Sequence, residues 1–234
     1  MKIEVFSDVV CPWCAIGKRR FEAALERFPH RDEVDIIWRA FELDPGAPAL
    51  VEVDLVSHLA EKYGMTRDEA MASQERLSAM AAEEGLEFHF DRARRANTFD
   101  AHRLLHYALE VGRQDALKER LFEAYFRDGE TISDHPTLVR LAEEVGLDGA
   151  KAKEVLESGR YADEVRTDEA DARAFGITGV PFFVVDRRYG ISGAQSPQSI
   201  LQVLEEAWAN KAPELVVSDG DAAACDGESC ALPS

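Results

Sequence analysis

The chain has 234 residues, enough for one large domain or for a domain carrying an insertion. Its 45 acidic and 27 basic residues give a formal charge of −18, so it lacks the basic excess that phosphate backbones require, and nucleic-acid binding is excluded as the expected role. With 46% hydrophobic and 31% charged residues the composition is globular, and no apolar run is long enough to span a membrane.

Residues 1 to 10 include Glu4 and Asp8 and lack a basic start followed by an apolar run. No secretory signal is read there, and a cytoplasmic location is expected. Four cysteines in a reducing compartment point to catalysis, redox sensing or metal binding rather than to structural crosslinks.

Lys2 to Phe6 alternate weakly and carry Ile3, Val5 and Phe6, which predicts a short buried strand. From Cys14 onward the period changes. Cys14, Gly17, Phe21, Leu25 and Phe28 recur at three or four residues and define one face of a helix. Pro12 suits the first turn, where its missing N–H costs nothing. Cys11 therefore falls at the helix start and Cys14 on the inward stripe. A thiolate at a helix N-terminus gains free N–H donors and the positive end of the dipole. Cys11 is the expected nucleophile, with a pKa lowered from about 8.5 into the range of about 4 to 7. Lys18, Arg19 and Arg20 add positive charge nearby, and Asp8 opposes ionisation if it points back. Cys14, one turn along, is placed to attack a mixed disulfide formed at Cys11.

Val34 to Phe41 is a second strand candidate, rich in β-branched and aromatic residues, and Leu43-Asp44-Pro45-Gly46-Ala47-Pro48 ends it in a loop. From about Asp54 to about Arg160 the periodicity is helical, with glycines 64, 85, 112, 129, 146 and 159 near the stops and Thr66, Asn97 or Thr98, Ser133 and Asp148 as candidate caps. Five or six helices are expected. His102 and His106 share a helical face, but no third ligand accompanies them, so they read as ordinary histidines of a partly exposed helix. Arg92, Arg94 and Arg95 read as a solvated basic loop.

Asp168 to Phe175 predicts a polar helix end, Gly176 to Gly179 a turn, and Pro181 to Val185 a buried strand. Tyr189 to Ser192 pairs with that strand across Asp186-Arg187-Arg188. Ser196-Pro197 opens a last helix carrying Ile200, Leu201, Leu204, Ala207 and Trp208. Residues 212 to 234 contain Glu214, Asp219, Asp221, Asp226 and Glu228 but no lysine or arginine, which predicts a mobile acidic tail. Cys225 and Cys230 lie in it with four residues between them, Gly227 among these, a spacing that allows a disulfide between them.

Asp8, Cys11-Pro12-Trp13-Cys14 and Gly17, with Gly179-Val180-Pro181-Phe182-Phe183, resemble the DsbA-like branch of the thioredoxin superfamily, and within it the FrnE-type oxidoreductases. The resemblance implies an α/β architecture, a thioredoxin fold with a large α-helical insertion. Residues 1–48 would be the first half of the thioredoxin domain, 49–160 the insertion, 161–212 the second half and 213–234 the cysteine-containing tail. It implies a cis Val180–Pro181 bond facing the dithiol, with Pro12, Trp13 and the main chain of Val180 meeting an extended substrate. The passage Asn97 to Arg103 would face the cleft. The expected activity is thiol–disulfide exchange on protein disulfides, with Cys11, Cys14 and Pro181 at the centre and Cys225 and Cys230 as an auxiliary redox pair able to reach back. DsbA itself carries histidine where this chain has Trp13, so its oxidising power is not carried over.

Two other readings remain open. Kappa-class glutathione transferases and hydroxychromene-carboxylate isomerases resemble this chain in architecture, which makes glutathione a candidate partner, but they generally have serine at the Cys11 position and no Cys14 counterpart. Four cysteines also suit a zinc site in number, although the two pairs are separated by most of the chain. No cofactor is called for.

Overall fold

The computed structural model describes residues 1–48 and 55–211. The chain opens with β1 (Lys2–Ser7), α1 (Pro12–Arg27) and β2 (Asp35–Ala40). Among the described residues six helices come next: α2 (Leu55–Tyr63), α3 (Arg67–Glu83), α4 (Phe99–Glu110), α5 (Gln114–Glu123), α6 (His135–Glu144) and α7 (Gly149–Glu157). A π-helical turn, Ala124–Asp128, extends α5. Then α8 (Ala162–Ala174), β3 (Phe182–Val185), β4 (Tyr189–Ser192) and α9 (Pro197–Ala209) complete the fold.

The four strands form one sheet in the order β2-β1-β3-β4. β1 runs parallel to β2, with α1 as the crossover, and antiparallel to β3, which turns back into β4. Alternation along β1 sorts its side chains between two faces. Ile3 and Val5 join Phe21, Phe28, Phe183, Ile200 and Leu204 beneath α1 and α9, while Phe6 meets Val184, Ala172 and Ile177 beneath α8. The Phe21 and Phe183 rings lie 5.1 Å apart and tie α1 to the central strand.

A second, larger core holds the helices between β2 and β3, built on Leu104, Leu117, Leu121, Phe126, Leu138 and Leu141. Cys11, Cys14 and Ile16 belong to this core and not to the one beneath the sheet. Several caps match the sequence: Thr66 and Glu69 make a capping box, and Asp148 and Ser196 accept from the first turns of α7 and α9. Others do not. Asp134 caps α6 in place of Ser133, and of the two residues read as caps of α4 it is Asn97 whose side chain accepts, from the Phe99 N–H, while Thr98 holds the N-cap position without a side-chain cap bond.

Candidate active site

Cys11 is the N-cap residue of α1 and Pro12 follows inside the first turn, so the dithiol straddles the helix start. Both cysteines are free and buried, Cys11 4% and Cys14 1% exposed, while Trp13 stands out at 40%. The Cys11 Sγ lies 3.5 Å from the carbonyl oxygen of Val180, within reach of its own S–H. Val180–Pro181 is cis, as expected. At Gly17, one turn beyond Cys14, a Cβ would stand 2.8 Å from the Pro181 Cγ, so glycine is what lets α1 pack closely on that loop. A cleft of about 530 Å³ opens on this junction, lined by Cys11, Pro12, Trp13, Gly179 and Val180 on one side and by α2 and α3 on the other.

The charges around the sulfurs come from far along the chain. Asp8 is 1% exposed, accepts from the Leu43 N–H at 2.8 Å, and meets His102 Nε2 at 3.3 Å. Burial alone would raise its carboxyl, yet the bond and charge of His102, the Leu43 N–H and Lys118 hold it below the usual carboxylate range. Lys118 on α5 is completely buried, its Nζ 3.3 Å from the Ser7 carbonyl and 5.5 and 5.0 Å from the Trp38 and Phe122 ring centres. Burial pushes its pKa down to about 8, although Cys14 and Asp8 oppose the shift. The Ser7 hydroxyl has no oxygen or nitrogen partner and acts on the Cys14 sulfur.

The expectation of an acidified Cys11 is not met in this resting dithiol. Its hydrogen bond with Cys14, then burial, then the Asp8 carboxylate push the thiol up, and the helix-end N–H of Cys14 is outweighed. Cys14 moves the other way. Burial would raise it, but the bond from Cys11, the charge of Lys118, the Ser7 hydroxyl and the Asp8 backbone bring it down. The two shifts run in opposite directions, up at Cys11 and down at Cys14. Nor do Lys18, Arg19 and Arg20 supply the cation. Lys18 pairs with Glu22, Asp115 and Glu119, Arg19 with Glu119, and Arg20 with Glu84. The dithiol's cation is Lys118, which no local pattern had marked.

The histidines also differ from their reading as ordinary residues of a partly exposed helix. Both are buried, His102 on Asp8 and His106 on Asp168 at 2.9 Å. Arg95, read as part of a solvated loop, lines the cleft in an ion pair with Asp44. Among the described residues no group of three or more His, Cys, Asp and Glu is arranged to hold a metal. Cys225 and Cys230 lie outside the described residues.

Beside the Leu43 loop, Glu42 is 6% exposed and shares Arg166 with Glu169. Burial and its bond with Glu169 raise its pKa to about 7. A raised carboxyl favours folding in its protonated form, so that contribution is intact near pH 4 and is lost as pH rises through 7. Glu42→Gln is therefore expected to melt like wild type at pH 4 and higher than wild type at pH 8. Equal melting at both values would contradict the assignment.

The described fold is similar along its entire length to a probable DsbA oxidoreductase from Streptomyces coelicolor, with 44% identity, full coverage of both chains and a TM-score of 0.88. The uncharacterized protein YwbO of Bacillus subtilis is 34% identical over 190 residues, covering 78% of this chain and 86% of that protein. A lower likeness, 19% identity with a TM-score of 0.62 over 89% of this chain and all of the other, links it in fold to a cytosolic disulfide reductase, DsbM from Pseudomonas aeruginosa, solved with glutathione. The model of the DSBA-like thioredoxin domain matches residues 2–205, and this chain belongs to that family.

Proposed function

We propose that the protein is a thiol–disulfide oxidoreductase and isomerase of the FrnE type that acts on protein disulfides in the cytoplasm, with Cys11 attacking and Cys14 resolving. The observation that carries this reading is the Cys11 sulfur 3.5 Å from the Val180 carbonyl, both residues lining a cleft of about 530 Å³. Cys11 passes its proton to Cys14 and its thiolate attacks a substrate disulfide. One S–S bond breaks, the Cys11 mixed disulfide forms, and the first substrate sulfur leaves as a thiolate. Cys14, beside the Lys118 ammonium, gives its proton to that departing thiolate and attacks the Cys11 sulfur, closing the 11–14 disulfide and releasing the second substrate thiolate. Two electrons pass from the dithiol to the substrate, and the reverse sequence oxidises it. Trp13 and Pro12 flank the substrate, the main chain of Val180 pairs with it beside Pro181, and Cys225 and Cys230 exchange with the dithiol as an auxiliary pair.

Trapping tests the assignment. Cys14→Ala incubated with insulin is expected to accumulate a mixed disulfide that peptide mapping locates at Cys11, and Cys11→Ala to accumulate none. Adducts at neither cysteine, with no insulin reduction by wild type, would reject the reading. A glutathione-dependent activity at the same site is the second reading, favoured by the glutathione complex of DsbM, a protein of the same fold.

A further inference from the structure

The resolving thiolate needs donors that solvent does not supply. Cys14 is 1% exposed, so the charge of the form that attacks Cys11 must be met by groups of the protein. One is the Lys118 ammonium, whose Nζ also lies 3.3 Å from the Ser7 carbonyl. Ser7 itself carries a second. It closes β1, is fully buried, and its hydroxyl has no nitrogen or oxygen partner. A hydroxyl buried without a partner is unfavourable, and the few that native proteins keep include catalytic donors. The turn after the strand sets its placement. The Cys11 N–H bonds the Asp8 carbonyl at 3.3 Å, so the start of α1 folds back on the end of β1. There the Ser7 hydroxyl, the Asp8 main chain and the Lys118 charge all act on the Cys14 sulfur.

We propose that Ser7 is a catalytic residue of the resolving step, its hydroxyl donating to the Cys14 thiolate as that thiolate attacks the Cys11 mixed disulfide. This role rests on Cys11 being the attacking thiol and Cys14 the resolving one. In the step the bond between the Cys14 and Cys11 sulfurs forms and the bond from Cys11 to the substrate sulfur breaks. The substrate leaves with the electron pair as a thiolate. Ser7 transfers no proton; it keeps its own throughout. In the reverse direction a thiolate attacks Cys11 of the oxidised protein and expels Cys14, and the same hydroxyl meets the charge that forms on the leaving sulfur. Alanine at this position would remove the donor and leave the main-chain carbonyl that Lys118 reaches.

The test is stopped-flow reaction of the reduced full-length chain with one equivalent of 4,4′-dithiodipyridine, with and without Ser7→Ala, both proteins carrying Cys225→Ser/Cys230→Ser. One thiopyridone is released when Cys11 attacks and a second when Cys14 resolves, so the second phase reads the proposed step. One hydrogen bond to a charged acceptor is equivalent to about tenfold in thiolate population. The weaker acid is the better nucleophile, which returns part of that loss. Below the Cys14 pKa the second phase of Ser7→Ala is therefore expected to be about threefold slower than that of its parent, and above it faster, so the two pH profiles cross. The groups facing Cys14 are Lys118, Asp8 and Cys11. The first two titrate alike in both proteins, and Cys11 is held in the mixed disulfide. Because Ser7→Ala removes an unpaired hydroxyl, it is expected to melt no lower than its parent. Second phases that coincide or run parallel from about pH 5 to about pH 10, after a normal first phase, overturn the role of Ser7 alone. Melting well below the parent would show the hydroxyl already bonded in the resting protein and overturn it as well. Absence of the first phase with Ser7 in place overturns the assignment of Cys11, and this proposal with it.

Discussion

Lys118→Met is expected to melt roughly 5 °C or more above wild type at pH 7 and to resolve mixed disulfides about tenfold more slowly. The stability gain follows from burying a charge: an ammonium whose pKa falls from 10.5 to about 8 on folding carries a cost on the order of 3 kcal/mol. That cost is present in full below pH about 8. Between about 8 and 10.5 the unfolded chain holds the proton and the folded one has lost it, so wild-type stability rises with pH and the gap to the methionine variant closes. The kinetic loss comes from Cys14. Without its cation the thiol regains the upward push of burial, less thiolate is present at pH 7, and the higher intrinsic nucleophilicity of a weaker acid restores only part of the rate. Stopped-flow resolution of a Cys11 mixed disulfide across pH 6 to 9 checks this. The two proteins should converge above pH about 8, where the wild-type amine is itself neutral. Parallel profiles would show that Lys118 serves only packing.

The second large effect is expected at Gly17. On helix propensity alone, alanine would stabilise a mid-helix position by about 0.5–1 kcal/mol. Here a Cβ would stand 2.8 Å from the Pro181 Cγ and 3.5 Å from the Ala194 Cβ, against a ring that cannot turn aside. The contact decides the sign, and overpacking of this kind costs about 1–3 kcal/mol. Gly17→Val is expected to lower the melting temperature and to move the Val180 loop off the Cys11 sulfur, reducing insulin reduction more than about tenfold. Gly17→Ala should show the same trend in smaller degree. An alanine variant that melts higher at full activity would mean that helix and loop are not in firm contact.

The frame of the fold could be read from local pattern because its signals are local. The apolar stripe from Cys14 to Phe21 and the alternation about Asp186-Arg187-Arg188 need only neighbours a few residues away, and α1 and the β3–β4 hairpin form where expected. The electrostatics of the dithiol depend on residues about a hundred positions distant. Asp8 meets His102 across 94 residues, and Lys118 reaches the Ser7 carbonyl across 111. In sequence, Lys118 is one of several charges on a polar helix, and only the folding of α5 against β2 reveals that it faces inward. The tripeptide Lys18-Arg19-Arg20 misled for the converse reason: sequence proximity to Cys14 counted as charge, whereas each side chain is engaged by acids.

Lys118, whose charge brings Cys14 down, and His102, which holds the Asp8 carboxylate, are carried by helices inserted between the strands, whereas the sulfurs belong to the strand–helix frame. Motif and tuning are separable parts. Transplanting Cys-Pro-Trp-Cys onto a thioredoxin frame without these helices would give a dithiol lacking this proton distribution. Changes confined to α4 and α5 could retune the chemistry while every residue of the motif stayed the same.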